Sequence, residues 1–93
     1  MLKTAGGWRA EWKYGVKGTN LAGTPEQKRT WYLWGYNPRG GQSILATVRK
    51  EGGAYDVRNS TVGNRLVGTI RGANALSKAK RRAERMFGIR GKG

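Results

Sequence analysis

The sequence contains no cysteine and no histidine in its 93 residues. The first absence excludes a disulfide scaffold and thiolate chemistry, and is compatible with a reducing compartment. Together the two absences remove almost every structural zinc site and the commonest general acid–base side chain. Acidic residues are scarce as well. Five Asp and Glu face nineteen Lys and Arg, so the formal net charge is +14. Long apolar runs are also missing. The uncharged stretch around Ser43–Val48 falls far short of the ~20 apolar residues that cross a bilayer. Met1–Gly7 has no apolar h-region, so neither a signal peptide nor a membrane segment is expected. No repeat with a period of 20–50 residues is visible.

What the chain does contain is aromatic rings, glycine and positive charge. Seven aromatics fall between Trp8 and Tyr36, and glycine occurs sixteen times. This composition supports a packed body, and the length supports a single domain over 1–93. Residues 1–6 and the Gly- and Lys/Arg-rich 89–93 are expected to be flexible.

Trp8–Val16 alternates, with Trp8, Ala10, Trp12 and Tyr14 on one face and Arg9, Glu11 and Lys13 on the other. That pattern marks a half-buried strand. Lys17–Lys28 reads as a loop. Arg29–Asn37 reads as a second strand that is apolar on both faces, with Trp31 and Leu33 against Tyr32, Trp34 and Tyr36. Asn37-Pro38-Arg39-Gly40-Gly41 is a turn. Ser43–Lys50 follows as a strand with Ile44, Ala46 and Val48 on one side, then Ala54–Arg58 and a fifth strand at Arg65–Arg71.

The end of the chain has a different periodicity. Asn74 is placed as an N-cap, Ala75–Phe87 as a helix and Gly88 as its stop. Leu76, Ala79, Ala83, Met86 and Phe87 form one apolar stripe. The expected fold is therefore α+β: a twisted antiparallel sheet of four to five strands with one C-terminal helix packed on one face.

Residues 71–93 hold eight Lys and Arg against Glu84, a balance of +7. Lys78, Arg81, Arg82 and Arg85 share one arc of the helix, roughly opposite the apolar stripe. Like charges at these spacings repel, so the arc is either a solvated face or a ridge for phosphates. The charge favours an anionic partner, and nucleic acid is the commonest. A membrane partner is not expected, because the apolar stripe is needed for the core. Arg29 and Arg39 are secondary nucleic-acid candidates.

One short helix cannot cover both sheet faces. Trp31, Tyr32, Trp34 and Tyr36 are therefore candidates for a stacking surface or a partner interface, including a homo-oligomer, unless the Lys17–Lys28 loop and its Leu21 fold over them. The five carboxylates are Glu11, Glu26, Glu51, Asp56 and Glu84. A Glu11–Glu51 pair or a Ser77–Lys dyad is the minimum an enzyme here would use. Each carboxylate more readily pairs with one of the nineteen cations. No phosphate-cradling glycine motif is present. The expectation is a non-enzyme with no catalytic residues, no metal and no cofactor.

The segment "NALSKAKRRAERMFG" following a strand-rich body resembles the docking helix of small bacteriophage accessory proteins. Leu76, Ala79, Lys80 and Ala83 match its small–Leu–x–x–Ala–Lys–x–x–Ala pattern. The Gly, Arg and Trp usage is similar to that of phages of actinobacteria. Two roles are implied by this resemblance. One is DNA binding. The other is a host-takeover role, in which the protein binds and inactivates a host protein of transcription, division or defence. The implied location is the host cytoplasm.

Overall fold

The computed structural model describes residues 2–15 and 30–89. Arg29, Leu21 and the Lys17–Lys28 segment lie outside them. Six strands form one antiparallel meander in chain order: β1 (Leu2–Lys3), β2 (Arg9–Tyr14), β3 (Thr30–Tyr36), β4 (Gln42–Glu51), β5 (Ala54–Asn59) and β6 (Arg65–Arg71). A 3-10 turn, Ser60–Val62, joins β5 to β6, and helix α1 (Ala75–Met86) follows. Among the described residues the architecture is α+β with one helix, and the strand count of four to five is corrected to six. The additional strand is β1, a dipeptide too short to show any alternation. It pairs Leu2 with Ala10 and Lys3 with Arg9.

Turn chemistry sets the register. Gly52 and Gly53 both have positive φ and close the two-residue β4–β5 hairpin between the paired residues Glu51 and Ala54. In the β3–β4 turn the Asn37 side chain accepts from Arg39 N at 2.9 Å, and Asn37 N donates to Gly41 O at 3.0 Å.

The register sorts the side chains into two faces. Ala10, Trp12, Trp31, Leu33, Ala46, Val48, Tyr55, Val57 and Ile70 share one face and form the core with α1. Two bulges add to this side. Leu33 pairs with Ala46 but Trp34 pairs with Ile44, which leaves Leu45 unopposed. Leu45 turns into the core, where Gly35 receives it: a Cβ on Gly35 would lie 2.9 Å from the Leu45 side chain. The bulge also corrects the expected face of Ile44. Strict alternation places it with Ala46 and Val48, whereas it pairs with Trp34 on the opposite face. Val67 is the second bulged residue, between the Val57–Gly68 and Arg58–Leu66 pairs, and it packs against the core.

Helix α1 lies across this face. Ala75, Ala79 and Ala83 are fully buried, with Leu76 and Met86 at the flanks. Three alanines on one stripe let the helix lie close to β4, β5 and β6. Asn74 occupies the N-cap position in the left-handed region, at φ 59°, and its side chain makes no capping bond. Its carbonyl accepts from Lys78 N at 3.0 Å. Asn is thus selected here for tolerance of positive φ rather than for side-chain capping.

The helix ends in a Schellman motif. Ile89 N donates to Glu84 O at 3.0 Å and Gly88 N to Arg85 O at 3.2 Å, with Gly88 at φ +71°. Ile89 is buried as the hydrophobic closure of this motif. Ala5 N donates to Phe87 O at 2.8 Å, which joins the N-terminal segment to the helix end.

Candidate functional site

The four helix cations singled out by the sequence do come together. Lys78, Arg81, Arg82 and Arg85 line a groove of about 500 Å³ between α1 and β6, with Val67, Ile70 and Met86 also in its wall. Lys78, Arg81, Arg82 and Arg85 are all exposed. The strand side of the groove is shaped by Gly68. A Cβ there would lie 3.4 Å from Arg82 Nε, so the missing side chain gives this guanidinium room to lie against the strand. Two further cations, Arg65 and Arg71, are exposed at the ends of β6.

Among the described residues no carboxylate lines this groove. The four carboxylates among the described residues are engaged elsewhere. Glu11 accepts from Tyr36 Oη at 2.7 Å and meets Lys13 at 3.5 Å. Glu51 and Asp56 both meet Arg49, at 3.1 and 3.8 Å. Glu84, on the helix itself, faces the sheet and accepts from Trp12 Nε1 at 2.9 Å. The helix therefore keeps its cations and directs its acid inward. Lys80, one residue before the cationic pair Arg81–Arg82, points to the sheet side too. Its ammonium lies 5.6 Å from the Trp12 ring and 5.7 Å from the Trp31 ring.

The remaining candidates are dispersed. Arg39 is exposed in the β3–β4 turn. Arg29 lies outside the described residues. Trp31 belongs to the helix face, where its ring meets Tyr14 at 4.3 Å and Tyr55 at 5.9 Å. Tyr32, Trp34 and Tyr36 lie on the opposite face, and Tyr32 is buried there. Tyr36 is held by its bond to Glu11 and by the Arg9 guanidinium 4.8 Å from its ring centre. Lys13 lies 5.8 Å from the Trp34 ring. Glu11 and Glu51 are not cross-strand neighbours: Glu11 pairs with Trp34 and Glu51 with Ala54.

Local electrostatics follow from these contacts. The Tyr36 hydroxyl holds the Glu11 carboxyl below its ordinary value; burial opposes it, and Lys13 and Arg9 add to the lowering. Burial pushes the Tyr32 phenol up, as it does for Tyr36, where the neighbouring Glu11 adds to the effect.

The face opposite α1 carries a second groove, of about 570 Å³, in which the sequence signalled only Tyr32 and Trp34. It is lined by Tyr32, Trp34, Thr47, Arg49, Arg58 and Asn64, with Ser43 and Ser60 among its hydroxyls. These residues come from β3, β4, β5 and the β5–β6 connection, and only the cross-strand pairing of Tyr32 with Thr47 and of Thr47 with Arg58 brings them together.

Among the described residues no cluster of three metal-ligating side chains occurs, and no helix is long and apolar enough to cross a membrane. No known protein family, curated protein or solved structure matches the chain.

Proposed function

We propose that this protein is a small basic, non-enzymatic module that binds nucleic acid through the cationic groove between α1 and β6. The observation that carries the reading is the gathering of Lys78, Arg81, Arg82 and Arg85 around one groove that no carboxylate of the described residues lines. Four cations of one sign within a few helical turns repel one another. A phosphate chain relieves that repulsion and releases its own condensed counterions on binding. The contacts are to phosphates, so they position the protein without reading sequence. Arg65 and Arg71, exposed at the ends of β6, extend the positive surface at its margins, and Arg39 is a separate exposed cation in the β3–β4 turn. The test is a titration of labelled DNA and RNA across a salt series. Binding that weakens steeply with salt, and weakens alike for different sequences, supports the reading; no retardation of either polymer at ~50 mM salt overturns it.

A second reading keeps the implied host-takeover role, in which the aromatic sheet surface or a strand edge captures a host protein. The feature that favours it is β6, a seven-residue terminal strand of the sheet with Leu66 48% exposed. Under this reading Trp34→Ala abolishes capture of a specific host protein, whereas charge reversals on the helix have little effect.

A further inference from the structure

The groove on the face opposite α1 is not used by the phosphate-binding reading, and its chemistry differs from that of the helix groove. We propose that it is a subsite for one unpaired nucleotide, taking the base against Trp34 and its phosphate at Arg58. The choice of ligand class rests on the nucleic-acid reading; the site itself does not involve the helix cations.

Three observations support the assignment. The groove holds about 570 Å³, within the range of small-ligand sites and ample for a single nucleotide. Its wall sets two aromatics among hydrogen-bonding side chains: Trp34 and Tyr32 stand beside Ser43, Thr47, Ser60 and Asn64, the mixture that holds a flat base by its face and its edges. Among the described residues its lining contains two guanidiniums and no carboxylate, which suits an anionic ligand. Arg49 is already shared between Glu51 and Asp56. Arg58 donates Nη1 to the Asn64 carbonyl at 3.2 Å, which fixes the guanidinium at the groove while its remaining N–H groups stay available to a phosphate.

Trp34 supplies the most specific pointer. Its Nε1–H is buried without an acceptor, although the ring as a whole is only half-buried. Buried donors in folded proteins nearly always have partners. In a nucleotide whose base stacks on the indole face, a sugar or phosphate oxygen in the plane of the ring supplies the acceptor. A duplex keeps its base faces stacked on one another, so the site selects an unpaired base.

The experiment titrates the full chain with thymidine 5′-monophosphate, with the single strand dT8 and with a duplex of equal length, reading tryptophan fluorescence and oligonucleotide anisotropy. Wild type, Trp34→Phe, Arg58→Gln and the helix variant Arg81→Gln/Arg82→Gln are compared. The proposal expects both groove variants to bind dT8 at least about fivefold more weakly, the lower end of one stacked base, with duplex binding unchanged. It expects the monophosphate to quench wild type and not Trp34→Phe. The helix variant should weaken dT8 and duplex together while leaving the monophosphate response intact. Arg58→Gln removes no core packing, so it decides the matter if Trp34→Phe fails to fold. If wild type binds no polymer yet the monophosphate is bound in a Trp34- and Arg58-dependent way, the groove stands and the helix reading falls. If the groove variants bind dT8 and the monophosphate as wild type does, or if wild type binds neither, the subsite is overturned.

Discussion

Trp12 donates its indole N–H to Glu84 at 2.9 Å, joining β2 to α1 across 72 residues of sequence. This bond turns the single acid of the helix towards the sheet and leaves the opposite arc wholly cationic. Glu84→Ala strands the indole donor in a half-buried site and is expected to lower the unfolding free energy by about 1–3 kcal/mol. Glu84→Gln retains an acceptor oxygen and should recover most of that loss. Urea denaturation of the three proteins checks it, with equal midpoints for Ala and wild type as the contrary result.

Two glycines are required by close approach. Gly35→Ala forces a Cβ to 2.9 Å from the bulged Leu45 and should cost about 1–3 kcal/mol through overpacking. Gly88→Ala combines a positive φ of +71° with a Cβ placed 2.5 Å from the Ala5 Cβ, so it disturbs both the helix stop and the docking of the N-terminal segment. It should be the more damaging of the two. Thermal unfolding that ranks Gly88→Ala with wild type would contradict this account of the helix end.

The Tyr36–Glu11 bond has a pH signature. The carboxyl of Glu11 is held below its ordinary value of 4.5, with the Tyr36 hydroxyl as the first cause. A depressed carboxylate stabilises the fold fully above that ordinary value, and the contribution is lost as the pH falls through the folded-state value. Tyr36→Phe should therefore be less stable than wild type by a constant margin at neutral pH, and the margin should narrow below pH 4.5. A gap that stays constant down the acid limb would show that the bond does not act through the ionised carboxylate.

Much of this fold was legible because its signals are periodic. Trp8–Tyr14 alternates, and the Leu76–Phe87 stripe recurs at helical spacing, so the strand, the helix and the helix's docking face could all be read directly. The four cations were legible as a group for the same reason: helical geometry alone sets them on one arc. What escaped is what breaks periodicity or depends on distant pairing. The Leu45 bulge reverses Ile44, and nothing local distinguishes it except Gly35 on the neighbouring strand, which makes room for the extra side chain. Gly68 read as one more glycine in a strand, yet its missing Cβ gives Arg82 its place. Alternation already separates Trp31 from Trp34, but it does not say which of the two faces the helix takes. Their positions in β3 put them on opposite faces, one beneath the helix and one at the wall of a groove assembled from four segments.

The central claim is that the groove between α1 and β6 binds a phosphate chain, and the salt dependence of binding tests it most directly. Affinity for a duplex should fall linearly in log K against log salt, and removing Lys78, Arg81, Arg82 or Arg85 one at a time should weaken binding uniformly across sequences and reduce the slope by about one each. Unchanged slopes in all four variants, or a wild-type protein that retards neither DNA nor RNA at ~50 mM salt, would contradict it.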